Sequence, residues 1–173
     1  MLIIDTKNVI KDRKSFSARG VGILEFSIFG KDITYALDEN MEIDYELVEN
    51  FIEKHRGEKI LIFGFTFMIW KYFINKLIYK KKYFPLEKAI MIHGGGWKKL
   101  LEEKVDNDEF KSQIKKVTQI KKVHNYYGMV EQTGSIYFEC ENGNFHCSNF
   151  SDIFIRNNDF SISNTKEQGL IEI

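Results

Sequence analysis

Two short apolar runs decide what this chain can fold into. They are Lys59-Ile60-Leu61-Ile62-Phe63-Gly64 and Lys88-Ala89-Ile90-Met91-Ile92-His93. Neither alternates polar with apolar, and each stands between turn-forming residues, so both suit strands buried on both faces, as in a parallel sheet. Between them, Thr66 to Tyr79 keeps Phe67, Trp70, Ile74 and Ile78 at helical spacing. Strand, helix, strand is the βα unit, and it demands a parallel sheet covered by helices. Upstream, Asp44 to His55 places residues 47, 48, 51 and 52 on one helical face, with Asp44 as N-cap and Gly57 as stop. Gly22–Phe29 and Asp32–Leu37 read as two strands around Gly30-Lys31. Trp97 to Lys116 reads as a polar helix and Val117–Val123 as a third strand. After Gly134 the period becomes that of strands: Ser135–Cys140, Asn144–Cys147, Asp152–Arg156 and Gly169–Ile173, with a hairpin turn over Glu141–Asn144. The expectation is an α/β fold, a mainly parallel sheet with flanking helices over about 1–133 and a small β-rich part over about 134–173.

Composition narrows the function classes. A hydrophobic fraction of 43% in 173 residues excludes intrinsic disorder and allows a core. Two cysteines exclude a disulfide-dense scaffold and a four-cysteine zinc module. The longest low-polarity run, Ile60 to Trp70, falls short of the roughly 20 residues that span a bilayer. The opening Met1-Leu2-Ile3-Ile4-Asp5 lacks a basic region before an apolar one, so no secretory signal is read and a cytoplasmic protein is expected. The 25 basic and 25 acidic side chains balance, whereas a nucleic-acid binder carries a basic total. The bases concentrate in residues 51–100, around Lys76, Lys80, Lys81, Lys82, Lys88, Lys98 and Lys99. Two readings fit that cluster: a solvated helix face, or a site for a phosphorylated small molecule.

In parallel sheets, ligands gather outside the carboxyl ends of the strands. Two motifs fall at such ends. Gly94-Gly95-Gly96 follows a buried strand, where three glycines permit unusual φ values and close backbone approach; a plain turn and a ligand loop both fit. Tyr127-Gly128-Met129-Val130-Glu131 places a carboxylate beyond a strand end, a residue type that holds Mg²⁺ together with substrate phosphates or simply faces water. Cys140, His146 and Cys147 offer soft zinc ligands without a certain fourth, and buried strand cysteines are the alternative. Asp152 and Arg156 share a strand face, which suits an ion pair. Phe65 and Thr66 sit at a strand-to-helix junction, in a core or at a pocket wall.

Together these pieces resemble the LuxE-type acyl-protein synthetases, relatives of the phenylacetate-CoA ligases in the adenylate-forming superfamily. The match rests on SARGVGILEFSIFG (17–30), ILIFGFTFMIW (60–70), MIHGGGWKKL (91–100), YGMVEQTGSIYFEC (127–140) and FSDIFIRN (150–157). The resemblance implies that a carboxylic acid, here a fatty acid, is activated by ATP and Mg²⁺ to an acyl-adenylate. The acyl group then passes to a thiol on a protein or on coenzyme A. It implies that Gly94, Gly95 and Gly96 form the adenine-side loop, and that Tyr127 and Gly128 flank the nucleotide. It makes Glu131 the catalytic magnesium ligand, and Phe65 and Thr66 part of the acyl pocket. Met129 and Val130 depart from the superfamily pattern, in which threonine precedes the glutamate. The family's Ser/Thr/Gly-rich phosphate loop, ribose-binding aspartate and lysine-bearing small domain have no counterpart in these residues. The chain is therefore expected to be a portion of an adenylating domain whose partner is the rest of the enzyme. The alternative is a non-catalytic remnant or acyl- or nucleotide-binding module.

Overall fold

The computed structural model describes residues 1–11, 17–128, 135–164 and 167–172, the side chains of 98–100 excepted. The chain forms two compact units, Met1–Asn125 and Tyr126–Ile173.

The first unit is built on β1 (Leu2–Thr6), β2 (Thr34–Leu37), β3 (Leu61–Phe65), β4 (Ile90–Gly94) and the start of β5 (Lys122–Gly128). Their order is β2-β1-β3-β4-β5, and the pairs β1–β2, β1–β3 and β3–β4 are parallel. This is the expected α/β architecture with a mainly parallel sheet. The sequence reading missed β1. Every residue of Leu2-Ile3-Ile4-Asp5-Thr6 is buried, because β1 lies inside the sheet and helices cover its faces.

The expected strand over Gly22–Phe29 is instead within helix α1 (Ala18–Ser27). Ser17 Oγ accepts from the Gly20 N–H at 3.2 Å and caps it. Gly20, Ile23 and Phe26 recur every three residues on the buried face, and the Phe26 ring stacks on Phe63 of β3 at 4.3 Å. Aromatic and β-branched residues gave the segment a strand-like composition, but its burial has helical period. The expected second strand is present as β2, paired with β1 rather than in a hairpin.

Helix α2 (Tyr45–Lys54) follows the sequence signals. Asp44 Oδ1 accepts from the Leu47 N–H at 3.0 Å, and Gly57 turns beyond the end with φ +86°. The helical run after β3 comprises α3 (Thr66–Met68), a π-helical stretch (Ile69–Ile74) and α4 (Asn75–Lys80). The wide turn rotates the buried stripe to Met68, Ile69, Trp70, Phe73, Ile74 and Leu77, leaving Ile78 exposed. The expected single helix over 97–116 is broken. A 3₁₀ turn (Lys98–Glu103) precedes α5 (Asn107–Thr118), which Asp106 caps through the Glu109 N–H at 2.8 Å. Phe110, Ile114 and Val117 form the buried stripe of α5, so Val117 and Thr118 end a helix and the third strand begins later, at Lys122.

In the second unit, Tyr126, Tyr127 and Gly128 pair antiparallel with β6 (Ile136–Glu139), and β6 pairs with β7 (Phe145–His146). The expected turn closes them: Cys140 N–H donates to Asn144 O at 2.8 Å, and Gly143 N–H to Cys140 O at 3.0 Å. A separate antiparallel pair joins β8 (Phe154–Arg156) to β9 (Leu170–Glu172). The expected Asp152–Arg156 pair is not formed. Arg156 pairs with Glu172 across the strands, while Asp152 accepts from the Ile153 N–H at 2.8 Å.

Candidate functional site

The parallel register sets Phe65 opposite Gly94, so the carboxyl ends of β3 and β4 finish level. Thr66, the first residue past β3, is buried, and its Oγ1 lies 3.0 Å from Gly94 O and 3.0 Å from His93 Nδ1. A hydroxyl has one proton to give. Both contacts are satisfied when Thr66 donates to the carbonyl and accepts from Nδ1–H, which puts a proton on His93 Nδ1. This polar bridge ties the strand ends together below the glycine loop. His93 is buried and packs on the Phe110 ring at 4.7 Å. Trp97 stands edge-on to Trp70 at 5.7 Å and to Phe110 at 6.1 Å, extending an aromatic backing to the loop.

The loop's glycines differ in what they require. Gly95 has φ +73°, and a Cβ there would come within 2.9 Å of the Phe65 ring, so no other residue fits without strain. At Gly96 no described atom lies within 4 Å of a Cβ position, and both Gly95 and Gly96 are exposed. Open backbone at the end of a parallel strand is what a nucleotide needs for close approach. The structure thus brings Phe65, Thr66, Gly94 and Gly95 together as neighbours, and adds His93, which the sequence reading left without a role. Its signal was position: a histidine on the buried alternation Met91, His93, directly before the glycines.

A second missed group lies at the carboxyl end of β1. Asp5 is 1% exposed; its Oδ1 accepts from the Thr6 N–H at 2.7 Å, and its Oδ2 lies 3.0 Å from Arg19 Nε. That approach is close but not aligned as a hydrogen bond. Burial raises the Asp5 pKa, while Arg19 and the Thr6 N–H pull it back. Arg19 also donates from Nη1 to Met68 Sδ at 3.4 Å.

Two lysines of the cationic run are ion-paired on the surface. Lys76 reaches Glu42 at 2.6 Å, and Lys82 reaches Glu49 at 3.2 Å. His55 lies 2.8 Å from both Glu58 and Asp32. A hollow of about 650 Å³ opens at the opposite ends of β3 and β4, among His55, Gly57, Ile60, Tyr83, Pro85 and Lys88, and Lys88 of the cationic cluster lines it, whereas the glycine loop, Phe65 and Thr66 do not.

In the second unit, Tyr127 ends β5 half exposed, 6.2 Å from the Tyr137 ring, and Gly128 faces Ile136. Glu131 lies outside the described residues. Among the described residues no group of three or more His, Cys, Asp or Glu side chains is placed to hold a metal. Cys140 is half-buried and Cys147 exposed, rather than both buried in strands. No helix among the described residues is long and apolar enough to cross a membrane.

A family model described as acyl-protein synthetase, LuxE, matches residues 9–172. No curated protein and no solved structure matches the chain.

Proposed function

The chain belongs to the LuxE acyl-protein synthetase family, and from that premise we propose that it takes part in ATP-dependent activation of a fatty acid for transfer to a thiol. The acid's carboxylate oxygen attacks the α-phosphorus of ATP, and pyrophosphate leaves with the bonding electrons. A thiolate, on a protein or on coenzyme A, then attacks the acyl carbonyl, and AMP leaves. The observation that carries this reading is the Thr66 bridge to Gly94 and His93 at 3.0 Å, which fixes a glycine loop with open backbone at the end of a parallel strand.

On this reading Gly94, Gly95 and Gly96 receive the adenine side of the nucleotide. Gly96 supplies open backbone, and Gly95 lets the loop close against Phe65. Phe65 and Thr66 form one wall for the acyl chain. Thr66 has both hydrogen-bonding directions engaged, so its part is to hold the wall and loop in place. Tyr127 and Gly128 contact the nucleotide by their place in the family motif. Glu131 is the carboxylate assigned to magnesium, which when bound would offset the negative charge gathered during attack.

Fatty-acid-dependent exchange of pyrophosphate into ATP tests the reading. Glu131→Gln is expected to lower that exchange by about 10²–10³-fold, the usual loss for one electrostatic contact to a transition state. Unchanged exchange in this variant removes the assignment. Heat on titration with ATP without any exchange points to a binding module instead. No heat with ATP, AMP or fatty acid contradicts both.

A further inference from the structure

Arg19 occupies a position that packing alone would give to an apolar residue. It lies four residues before Ile23 and seven before Phe26, so it heads the stripe that α1 turns toward β3, where Phe26 stacks on Phe63. A cation in the first turn of a helix also works against the helix dipole. Asp5, buried at the carboxyl end of β1, supplies the counter-charge. Yet the pair is not the two-bond fork that arginine commonly makes with a carboxylate. Nε stands 3.0 Å from Asp5 Oδ2 without an aligned hydrogen bond, and Nη1 donates to the Met68 sulfur, a weak acceptor. Among the described residues the guanidinium has no other polar partner. The Arg19 side chain is 26% exposed, so the charge is anchored while its N–H donors are poorly used and within reach of solvent. Met68 lies two residues past Thr66, which puts the guanidinium at the strand ends that also carry Phe65 and the Gly94–Gly96 loop.

We propose that Arg19, anchored by Asp5, receives an oxyanion of the reactants, the carboxylate of the acid or a phosphate of ATP. The inference rests on the acyl-activation reading of these strand ends. Both anions offer a guanidinium the same chemistry, paired oxygens that accept two N–H bonds side by side. Either is a far better acceptor than a thioether, so the bond to Met68 gives way when the anion arrives. Asp5 keeps the guanidinium at the strand ends meanwhile. A carboxylate held there leaves the acyl chain to the Phe65 wall, and a phosphate held there leaves the adenine to the glycine loop.

Calorimetric titration of the full chain with two matched pairs, octanoate against octanol and ATP against adenosine, provides the test. Arg19→Gln leaves Asp5 buried without a counter-ion. A double variant, Asp5→Asn with Arg19→Gln, removes both charges and is measured beside it, with Tm reporting the fold. In both variants one anion is expected to bind at least about tenfold more weakly, while its uncharged partner binds within about twofold of wild type. Loss confined to octanoate identifies the carboxylate, and loss confined to ATP identifies a phosphate. Arg19→Lys keeps the charge without the fork and should recover part of the affinity. Wild-type affinity for both anions in the folded double variant overturns the proposal. So does an equal loss for an anion and its uncharged partner, or a wild type that binds neither anion. Pyrophosphate exchange separates the two readings. Anion binding that depends on Arg19 without any exchange keeps this site and removes the synthetase reading; undiminished exchange and binding in the double variant do the reverse.

Discussion

The two ends of β3 and β4 make opposite use of the same pair of strands. At the amino ends the structure leaves a wide hollow, about 650 Å³, rimmed by charges that already have partners. Arg56 pairs with Glu53, His55 with Glu58 and Asp32, and Lys88 Nζ donates to Gly57 O at 3.2 Å. At the carboxyl ends polar groups are buried and aimed. Thr66 holds His93 and Gly94 in place, and glycines expose backbone above them. The physics chooses the second end, because a buried, hydrogen-bonded polar group costs desolvation that a mere surface does not, and ligands of parallel sheets bind where strands end.

Three changes break or sharpen this contrast. The largest stability effect is expected for Gly95→Val. It forces a β-branched residue to φ +73° and its Cβ to 2.9 Å from Phe65. A loss of about 2–4 kcal/mol is expected from left-handed strain plus overpacking, read in urea unfolding. A change below about 1 kcal/mol would show that the loop yields easily and is no rigid cradle. Next is Thr66→Val, which leaves a buried imidazole and carbonyl short of a partner. It should cost about 1–3 kcal/mol, while Thr66→Ser restores most of it. Equal losses in both variants would assign the effect to packing rather than to the hydroxyl.

The smallest effect belongs to the amino end. Hydrogen bonds to Glu58 first, then Asp32, raise the His55 pKa against a minor opposing effect of burial. A raised folded pKa stabilises fully below the unfolded value near 6.5, and this contribution fades as pH rises through the folded value. The ion pairs are solvent-exposed, so the effect is small. Wild type should exceed His55→Ala in Tm at pH 6, with the gap narrowing toward higher pH. A gap that widens instead contradicts the sign.

What could be read from the sequence follows from how locally each feature is determined. Helix α2 was legible because Asp44 and Gly57 mark both ends within the segment itself. Strands β3 and β4 were legible because glycines and turn residues punctuate two unmixed apolar runs. Helix α1 was not, since its Val, Ile and Phe content suits a strand and only contact with Phe63 shows which residues are buried. Strand β1 was hidden for a related reason: a short run at the start of a chain reveals nothing until its neighbours β2 and β3 are known. The π-helical turn shifted a stripe that a regular helix would have kept in register. At the site, the glycines and Thr66 were legible as motifs. The bridge from Thr66 to His93 was not, because it joins the residue just past β3 to β4, and the sequence does not state the register of those two strands. Asp5 and Arg19 are hidden in the same way.

Calorimetric titration of ATP into Gly96→Leu tests the central claim most directly. No described atom lies within 4 Å of the Cβ position and Gly96 has no positive φ, so a Cβ enters there without backbone strain and the side chain extends from the backbone assigned to the nucleotide. The account predicts an unchanged Tm and lost ATP heat. Undiminished ATP heat with an unchanged Tm would place nucleotide binding away from the glycine loop and contradict it.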